Sequence, residues 1–571
     1  MCGIAGWVDW ERDLGSEAAT VERMREALRH RGPDAAGTWT STRAILAHRR
    51  LIVLDPEGGA QPMTYDDGRT IVITFNGEIY NFQELRRELE ARGHVFRTRS
   101  DTEVLLHAYA AWGEAFVARL NGIFAFALWD AAAQRLLLAR DHLGVKPLFY
   151  AQRGSAVLFG SELKALLAHP LVEPEIDDDG LGHIFGPGPV HPPGFGLFRD
   201  VHEVRPGHYL VFERGKERVE RYWALESRPH TDDLDTTVER IRALLEDTVR
   251  RQLVADVPVV TLLSGGLDSS GVTALAARER RAEGKGLDSY SIDFAESARY
   301  FTPTPMHLSL DTPWALRVSE HTGTRQHTIV VDAPALVSNL LETTRAYDAP
   351  GLGQMDTSMY LLFKAMKRDA TVALSGESAD EVFGGYPWFF HEAAVAGDTF
   401  PWLTLIRGRN DRAQALLSPE LVERVRPEAY VARRYAEALA EVPRLEGEVG
   451  IAARRRELFY LNITRWLPVL LDRKDRMSMA TGFEVRVPFC DHRLVEYVWN
   501  IPWEMKMVDG IEKGVLRRAF ADVLPDDVRA RRKSPYPSVQ HPDYVRGIRE
   551  RVLQLLDEPA APVWAFLRAP A

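Results

Sequence analysis

The sequence predicts an α+β layered domain followed by an α/β domain that has a parallel sheet and a helical C-terminal part. Three observations predict it. Short β-branched and apolar runs crowd the chain up to Phe212, with helical patterns between them. An apolar run ending at Leu263 leads into a glycine turn and then a helix, the opening of an α/β sheet. Beyond Leu374 the spacing is mostly helical, with dispersed Trp and Arg.

In the first part, Ile4–Val8, Thr70–Phe75, Ile123–Trp129, Arg135–Ala139 and Tyr209–Phe212 read as strands, and Phe82–Arg92 reads as a helix. The texture changes after Tyr222. The polar, proline-containing stretch Ser227–Asp235 reads as a linker, which divides the chain into 1–222, a linker at 223–235, and 236–571. Thr236 and Glu239 have capping-box spacing ahead of Val238, Ile241, Leu244, Leu245 and Val249 on one helix face. Val257–Leu263 reads as a buried strand, with the turn Ser264-Gly265-Gly266 after it and a helix from about Ser270. Thr371–Leu374 is a second buried strand that ends in another Ser-Gly turn.

Composition excludes several classes. Of 571 residues, 45% are apolar and 27% charged, as in ordinary globular proteins and unlike disordered or collagenous chains. Lys and Arg number 71 against 81 Asp and Glu, so the formal charge is −10 and offers no general attraction to a nucleic acid backbone. The densest basic run, Arg529–Lys533, reads as a solvated face or a local anion contact. No apolar run reaches the ~18 residues of a membrane helix, and no signal-peptide pattern opens the chain. Cys2 and Cys490 are the only cysteines, too few for a disulfide framework, which suits a reducing cytoplasm. The histidines show no ligand-pair spacing, so zinc is not expected.

Cys2 follows the initiator Met. Removal of Met1 would give it a free α-amine, a base with a reference pKa of about 7.7–8.0 beside its own thiol. Other motifs accompany it: Met1-Cys2-Gly3-Ile4-Ala5-Gly6, Arg31-Gly32-Pro33-Asp34, Ala47-His48-Arg49-Arg50-Leu51, Phe75-Asn76-Gly77-Glu78-Ile79-Tyr80-Asn81 and Ser100-Asp101-Thr102-Glu103. In order and spacing this set resembles the glutaminase domain of class II, N-terminal-nucleophile glutamine amidotransferases. The resemblance implies an αββα sandwich in which Cys2 attacks the glutamine side-chain amide. It implies an oxyanion hole from Asn76 and Gly77, one by side-chain amide and one by backbone N–H. Arg50 would bind the glutamine α-carboxylate and Asp101 the α-ammonium, with Glu78 assisting. Arg49 is the competing carboxylate ligand, against its simpler reading as a surface arginine.

Ser264-Gly265-Gly266-Leu267-Asp268-Ser269-Ser270 joins strand to helix, where glycine backbone, serine hydroxyls and a helix N-terminus suit phosphate oxygens. It lacks the Gly-Lys-Ser/Thr ending of γ-phosphate-transferring ATPases, and an Asp inside it suits Mg²⁺ held on phosphates. The loop resembles that of the ATP pyrophosphatases. With Ser375-Gly376-Glu377-Ser378-Ala379-Asp380-Glu381 it resembles the synthetase domain of the asparagine synthetase B family. Three later motifs also match: Asp475-Arg476-Met477-Ser478-Met479, Glu484-Val485-Arg486-Val487-Pro488-Phe489 and Glu512-Lys513. This resemblance implies Mg²⁺ on Asp268 and Asp380. It implies nucleotide contacts from Leu263 to Gly266, Ser269, Ser270, Ser375 and Gly376. Glu377 would be the acid/base group, and Lys513 would meet the phosphate.

The implied reaction joins glutamine hydrolysis to ATP-dependent adenylation of a carboxylate, with ammonia passing through an enclosed path and AMP and pyrophosphate released. Aspartate is the implied acceptor. The alternative is a tailoring amidotransferase of secondary metabolism that uses another carboxylate. Glutamine, ATP with Mg²⁺, and the acceptor are the expected ligands; neither nucleic acid nor membrane is expected, and a homodimer is left open. Ser378 stands where the family commonly has Gly, and Cys490 where it commonly has an apolar residue. Phe294–Pro313 and Pro350–Asp356 also depart from the family, and they carry Tyr300, Phe301, Met306, Leu308, Leu352 and Met355. Two other classes stay open: a scaffold with decayed sites, and an ammonia-only synthetase with an idle partner domain.

Overall fold

The computed structural model describes residues 2–186, 188–304 and 307–568, with backbone alone at 407–411 and 413. Met306 therefore lies outside the described residues. Two six-stranded antiparallel sheets build the N-terminal part. One runs, edge to edge, through His202–Glu203, Phe149–Arg153, Ala156–Gly160, Gly3–Asp9, Ala44–Arg50 and Ala35–Thr40. The other runs through Lys216–Arg221, His208–Glu213, Arg135–Arg140, Gly122–Asp130, Thr70–Ile79 and Met63–Asp66.

The central strands are apolar on both faces because both faces are covered. In Gly122–Asp130, Phe124, Phe126 and Leu128 pack with Val104, Leu105 and Tyr109 of the helix Asp101–Trp112. Ala125, Ala127 and Trp129 of the same strand pack with Ile4, Val8, Leu46 and Phe159 of the facing sheet. On its outer face that sheet meets Val21 and Met24 of the helix Ala18–Glu26. The result is the helix–sheet–sheet–helix sandwich that the resemblance implies.

A third, five-stranded sheet is parallel throughout, in the order Arg325–Val331, Asp288–Phe294, Val259–Leu262, Val372–Leu374 and Glu484–Arg486. Val259–Leu262 comes first in the chain and is central in the sheet. The next two strands extend one side of it and the last two the other, so the order reverses there and a crevice opens at the strand C-termini. From Ala379 onward the chain is almost all helical apart from Glu484–Arg486.

Several boundaries move. The first parallel strand is Val259–Leu262, not Val257–Leu263, and the helix after the glycine turn starts at Leu267, not near Ser270. The helix Leu234–Gln252 begins ahead of Thr236. Its cap is Asp233, whose side chain accepts from Thr236 N at 2.8 Å, so Thr236 and Glu239 form no capping box.

The two halves share one core. Leu51, Val53, Ile123, Leu143 and Val145 cluster with Ile241, Leu245, Val249 and Val495. His142 and His492 stack face to face across the junction, 4.0 Å apart. Among the described residues no helix is long and apolar enough to cross a membrane.

Candidate active sites

Cys2 precedes the strand Gly3–Asp9 and is buried. Burial pushes its thiol up from the usual value. Its backbone N donates to Asn76 Oδ1 at 2.9 Å, and its Sγ lies 3.9 Å from the Leu51 carbonyl oxygen. With Oδ1 engaged, Asn76 Nδ2 is a buried donor without a protein partner, as an oxyanion-hole donor must be before substrate binds. Gly77 runs so close to Phe124 that a Cβ there would fall 2.1 Å from the Ile123 carbonyl oxygen, so only glycine fits.

Asp101 opens its helix behind the cap Ser100. Its Oδ2 accepts from Ile79 N at 3.0 Å, and burial lifts its carboxyl to about 6. Glu78 is buried beside it, with its carboxyl raised well above the usual value by burial and then by the Glu484 charge. Arg50 turns inward: Nη1 donates to Pro56 O at 2.9 Å, and Nη2 to Leu54 O at 3.1 Å and Asp55 O at 2.6 Å. Among the described residues no carboxylate pairs with it. Arg49 pairs with Glu26 on the covering helix and keeps 11% of its side chain exposed, so it is more enclosed than a surface arginine. Cys2, Asn76, Asp101, Glu78 and Arg50 are thus gathered at one end of the sandwich.

Sequence reasoning did not place Glu484 and Arg486 in this neighbourhood. Arg486, fully buried, holds Glu484 at 2.6 Å and stands 3.4 Å from Glu78, so the edge strand of the parallel sheet lies against the thiol site. Arg31 belongs to the motif Arg31-Gly32-Pro33-Asp34, which by itself assigns it no role. Its Nε donates to the Cys2 carbonyl at 3.0 Å, and its Nη1 reaches Glu162 at 2.7 Å and Asp475 at 2.8 Å. Asp475 also takes Lys146 at 3.2 Å. A sequence holds no local signal for contacts hundreds of positions apart.

The second site is a cavity of about 190 Å³ at the C-terminal ends of the parallel strands. Ser264, Gly266, Asp268, Ser269, Ser375, Gly376, Glu377, Ser378, Asp380 and Lys513 all line it. Gly265, with φ +72°, takes the left-handed turn that glycine allows, and a Cβ there would lie 2.4 Å from Trp314 Cβ. A Cβ on Gly376 would lie 2.5 Å from Ser269 N, so the two Ser-Gly loops touch. Leu263 lines the cavity, but its N–H is spent on Tyr290 O at 2.7 Å, which leaves only its carbonyl for a ligand. Ser270 Oγ is buried without a protein partner, whereas Ser264 and Ser269 bond each other at 3.0 Å.

Lys513 Nζ lies 2.7 Å from both Asp268 oxygens and from Asp380 Oδ1, and Lys533 also binds Asp380. Burial works against ionisation of Asp380, yet the two lysines outweigh it and hold the carboxyl far below its usual value. Glu377 pairs with Lys474 at 2.8 Å. There too burial raises the carboxyl, while Lys474 and Arg473 bring it below the usual range. The basic run Arg529–Lys533 is a local anion contact at Arg531 and Lys533: buried Arg531 holds Asp311 at 2.6 Å and Ser264 O at 3.2 Å. Lys474 and Arg473 are cavity residues that the sequence reading did not single out.

The two residues that depart from the family pattern, Ser378 and Cys490, touch: Oγ and Sγ are 2.9 Å apart. Cys490 is buried but is more than an apolar filler. Ser378 sits at φ +81°, a conformation that suits the glycine usual there. Of the other departing segments, Tyr300 and Phe301 line a separate small cavity with His307 and His541, while Leu308 is 62% exposed.

Fold and geometry define a class: an N-terminal-nucleophile amidotransferase module fused to a nucleotide-type α/β module. A glutamine amidotransferase domain model matches residues 1–223, and an asparagine synthase model matches residues 240–571. The chain belongs to the asparagine synthase family. It is 50% identical to a glutamine-hydrolysing asparagine synthetase of Bacillus subtilis over 553 residues, covering 96% of this chain and 89% of that one. It is 30% identical to asparagine synthetase B of Escherichia coli, covering 94% of this chain and 82% of that one.

Proposed function

We propose that the protein is a glutamine-hydrolysing asparagine synthetase, with glutaminase chemistry in 1–222 and synthetase chemistry in 236–571. The reading rests on one observation above all. A buried thiol with a free amide donor beside it, and an acid–lysine cradle at a parallel-sheet crevice, lie in one chain whose 50% identity to a named asparagine synthetase spans both. That relative's name favours aspartate over another carboxylate as acceptor.

At the first site, loss of Met1 would free the Cys2 α-amine, held by Asn76 Oδ1, to take the thiol proton that burial retains. The thiolate attacks the glutamine amide carbon. Asn76 Nδ2 and the Gly77 backbone N–H receive the oxyanion, and the amide nitrogen leaves as ammonia. Arg50, fixed by three carbonyl oxygens, binds the α-carboxylate, and Asp101 and Glu78 the α-ammonium.

At the second site, an aspartate side-chain carboxylate oxygen attacks the α-phosphorus of ATP and pyrophosphate leaves. Ammonia then attacks the acyl carbon, AMP departs with the C–O electron pair, and Glu377, ionised at neutral pH, accepts a proton from nitrogen. Ser264, Gly265, Gly266, Ser269, Ser270, Ser375 and Gly376 cradle phosphate and nucleotide with the Leu263 carbonyl. Among the described residues no group of three or more His, Cys, Asp or Glu is placed to hold a metal ion. Mg²⁺ needs fewer protein ligands, since phosphate oxygens and water complete its shell. Asp268 and Asp380 fit it: their oxygens converge on one cationic point, now Lys513 Nζ. Bound there with ATP, Mg²⁺ would neutralise phosphate charge, with Lys513 and Lys533 turning to the phosphates. The buried ground between Glu484, Arg486 and Cys490 is the proposed route for ammonia.

The test is Cys2→Ala. Glutamine-dependent asparagine formation is abolished, and synthesis from added ammonium salt persists with AMP and pyrophosphate as products. Glutamine-dependent turnover in the variant, or ADP and phosphate as products, would refute the reading.

A further inference from the structure

Arg473, on the wall of the synthetase cavity, and Asp356, near it but outside the cavity lining, are two charged side chains that do not satisfy each other. Arg473, on the helix Leu467–Met479, is 2% exposed and lines the cavity. Its Nε and Nη1 are buried without a hydrogen-bond partner. Asp356, in the first turn of the helix Gln354–Met366, is also 2% exposed. Its Oδ2 accepts from Leu352 N at 2.5 Å, while Oδ1 is buried without a partner. A Cβ on Gly351 would fall 2.1 Å from that same Oδ2, so the Pro350–Asp356 turn is folded around this carboxylate.

The two are neighbours without contact. The Arg473 charge acts on Asp356, partly countering the rise that burial imposes on its carboxyl, but no ion pair within 4.0 Å joins them among the described residues. Tyr536 ties them to the cavity. It lines the cavity, its ring centroid is 5.5 Å from the Arg473 guanidinium, and its hydroxyl is 3.1 Å from Ser358 Oγ, two residues after Asp356. Lys474, next to Arg473, pairs with Glu377 at the proposed reacting end. A buried donor pair and a buried acceptor left open on opposite charges are costly unless something fills the gap. An ion pair between them would cancel that cost, and the fold does not make one.

We infer that Arg473 and Asp356 form the acceptor's recognition clamp, the Arg473 fork taking its α-carboxylate and Asp356 Oδ1 its α-ammonium. This rests on the asparagine reading above and deepens it. A zwitterion has one group for each orphan, in the sign each requires, and a planar fork suits a carboxylate. With both ends of the α-carbon held, the acceptor's remaining carboxylate is left to face Glu377, Lys474 and the phosphate loop. A site built to pair both charges rejects acceptors that lack either one, because the unmet group stays buried and bare. The Pro350–Asp356 segment, which departs from the family pattern, thus supplies one half of the clamp. Arg473 and Asp356 act as binding and positioning groups and do not enter the bond-making steps.

The experiment measures pyrophosphate release from the full chain with ATP, Mg²⁺ and ammonium chloride. Three acceptors are compared: aspartate, succinate (no α-ammonium) and β-alanine (no α-carboxylate). Wild-type protein prefers aspartate to both. Asp356→Asn lowers kcat/KM for aspartate by about 10²-fold or more while leaving succinate nearly unchanged. Arg473→Lys gives the mirror result, a loss for aspartate and little change for β-alanine. Glutamine hydrolysis, which runs at the other site, reports whether each variant is folded, and Arg473→Lys keeps the buried charge if Asp356→Asn does not accumulate. Equal losses for aspartate and succinate in Asp356→Asn, or for aspartate and β-alanine in Arg473→Lys, would overturn the clamp and make the pair merely structural. Wild-type protein that ignores aspartate but turns over another carboxylate would overturn the asparagine reading, and the clamp with it.

Discussion

In its proposed role as the ammonium ligand, Asp101 sets binding against stability. Burial lifts its carboxyl to about 6, against an ordinary 3.8. It must be ionised to hold an ammonium, so the KM for glutamine rises as pH falls through 6, by about tenfold per unit at the limit. In Asp101→Asn that dependence disappears and the KM stays high at every pH. Synthesis from ammonium salt does not share the profile. Stability has the opposite sign. A folded-state pKa above the unfolded one contributes stability that is complete below 3.8 and lost as pH rises through 6. Asp101→Asn, whose side-chain oxygen still accepts from Ile79 N, is therefore more stable than wild type at pH 7, by at most about 3 kcal/mol in chemical denaturation. A variant that binds glutamine normally, or unfolds earlier, would contradict this account. Cys2 and Asn76 could be proposed from the sequence because a nucleophile and its oxyanion donors are local residue types in a fixed order. The free state of Asn76 Nδ2 could not, since it depends on Cys2 N occupying the other end of the amide.

At the scale of elements, the strand–loop–helix unit Val259–Ala282 places Asp268 in the first helical turn, facing Lys513. The apolar run, the glycine turn and the helix after it revealed this unit together, and the glycine is required because the left-handed turn at Gly265 and the close approach to Trp314 admit no side chain. Asp268→Asn keeps the size and removes one charge. On the Mg²⁺ role proposed for Asp268, loss of one carboxylate costs several kcal/mol of transition-state stabilisation, so acceptor-dependent pyrophosphate release drops by roughly 10²-fold or more. Glutaminase turnover is unaffected, and excess Mg²⁺ restores part of the loss. Near-wild-type pyrophosphate release would remove Asp268 from the phosphate site. The helix start at Leu234 was misread because Thr236 and Glu239 mimic a capping box, whereas Asp233 is free to bend back onto Thr236 N.

Across the whole molecule, Asp475 is the joint. It belongs to a helix of the second half, yet it binds Arg31, which also holds the Cys2 carbonyl, and Lys146. Removing one partner of a buried charge network typically costs ~3–5 kcal/mol and leaves the others unpaired. Asp475→Asn therefore loosens the contact between the halves, and more glutamate forms per AMP because ammonia is lost before it reaches the second site. The measurement is the ratio of glutamate to pyrophosphate, which is raised in the variant relative to wild type. An unchanged ratio would show that Asp475 does not couple the sites.

The two chemistries were legible in the sequence through a family resemblance carried by Cys2, Asn76-Gly77, the Ser264–Ser270 loop and Ser375–Glu381, short segments whose residue types suit the roles proposed for them. The strand and helix patterns also gave the α+β layering and the α/β sheet, while the sandwich came from the family resemblance. Only the tertiary structure decided how the halves act on each other. Arg31 meets Asp475 across 444 positions, Glu484–Arg486 turns an edge strand of one half toward the thiol of the other, and Ser378 meets Cys490. Arg473 and Asp356 are likewise ordinary charges in the sequence. They become a paired vacancy only because packing buries both and stops short of joining them, and local spacing encodes neither burial nor distance.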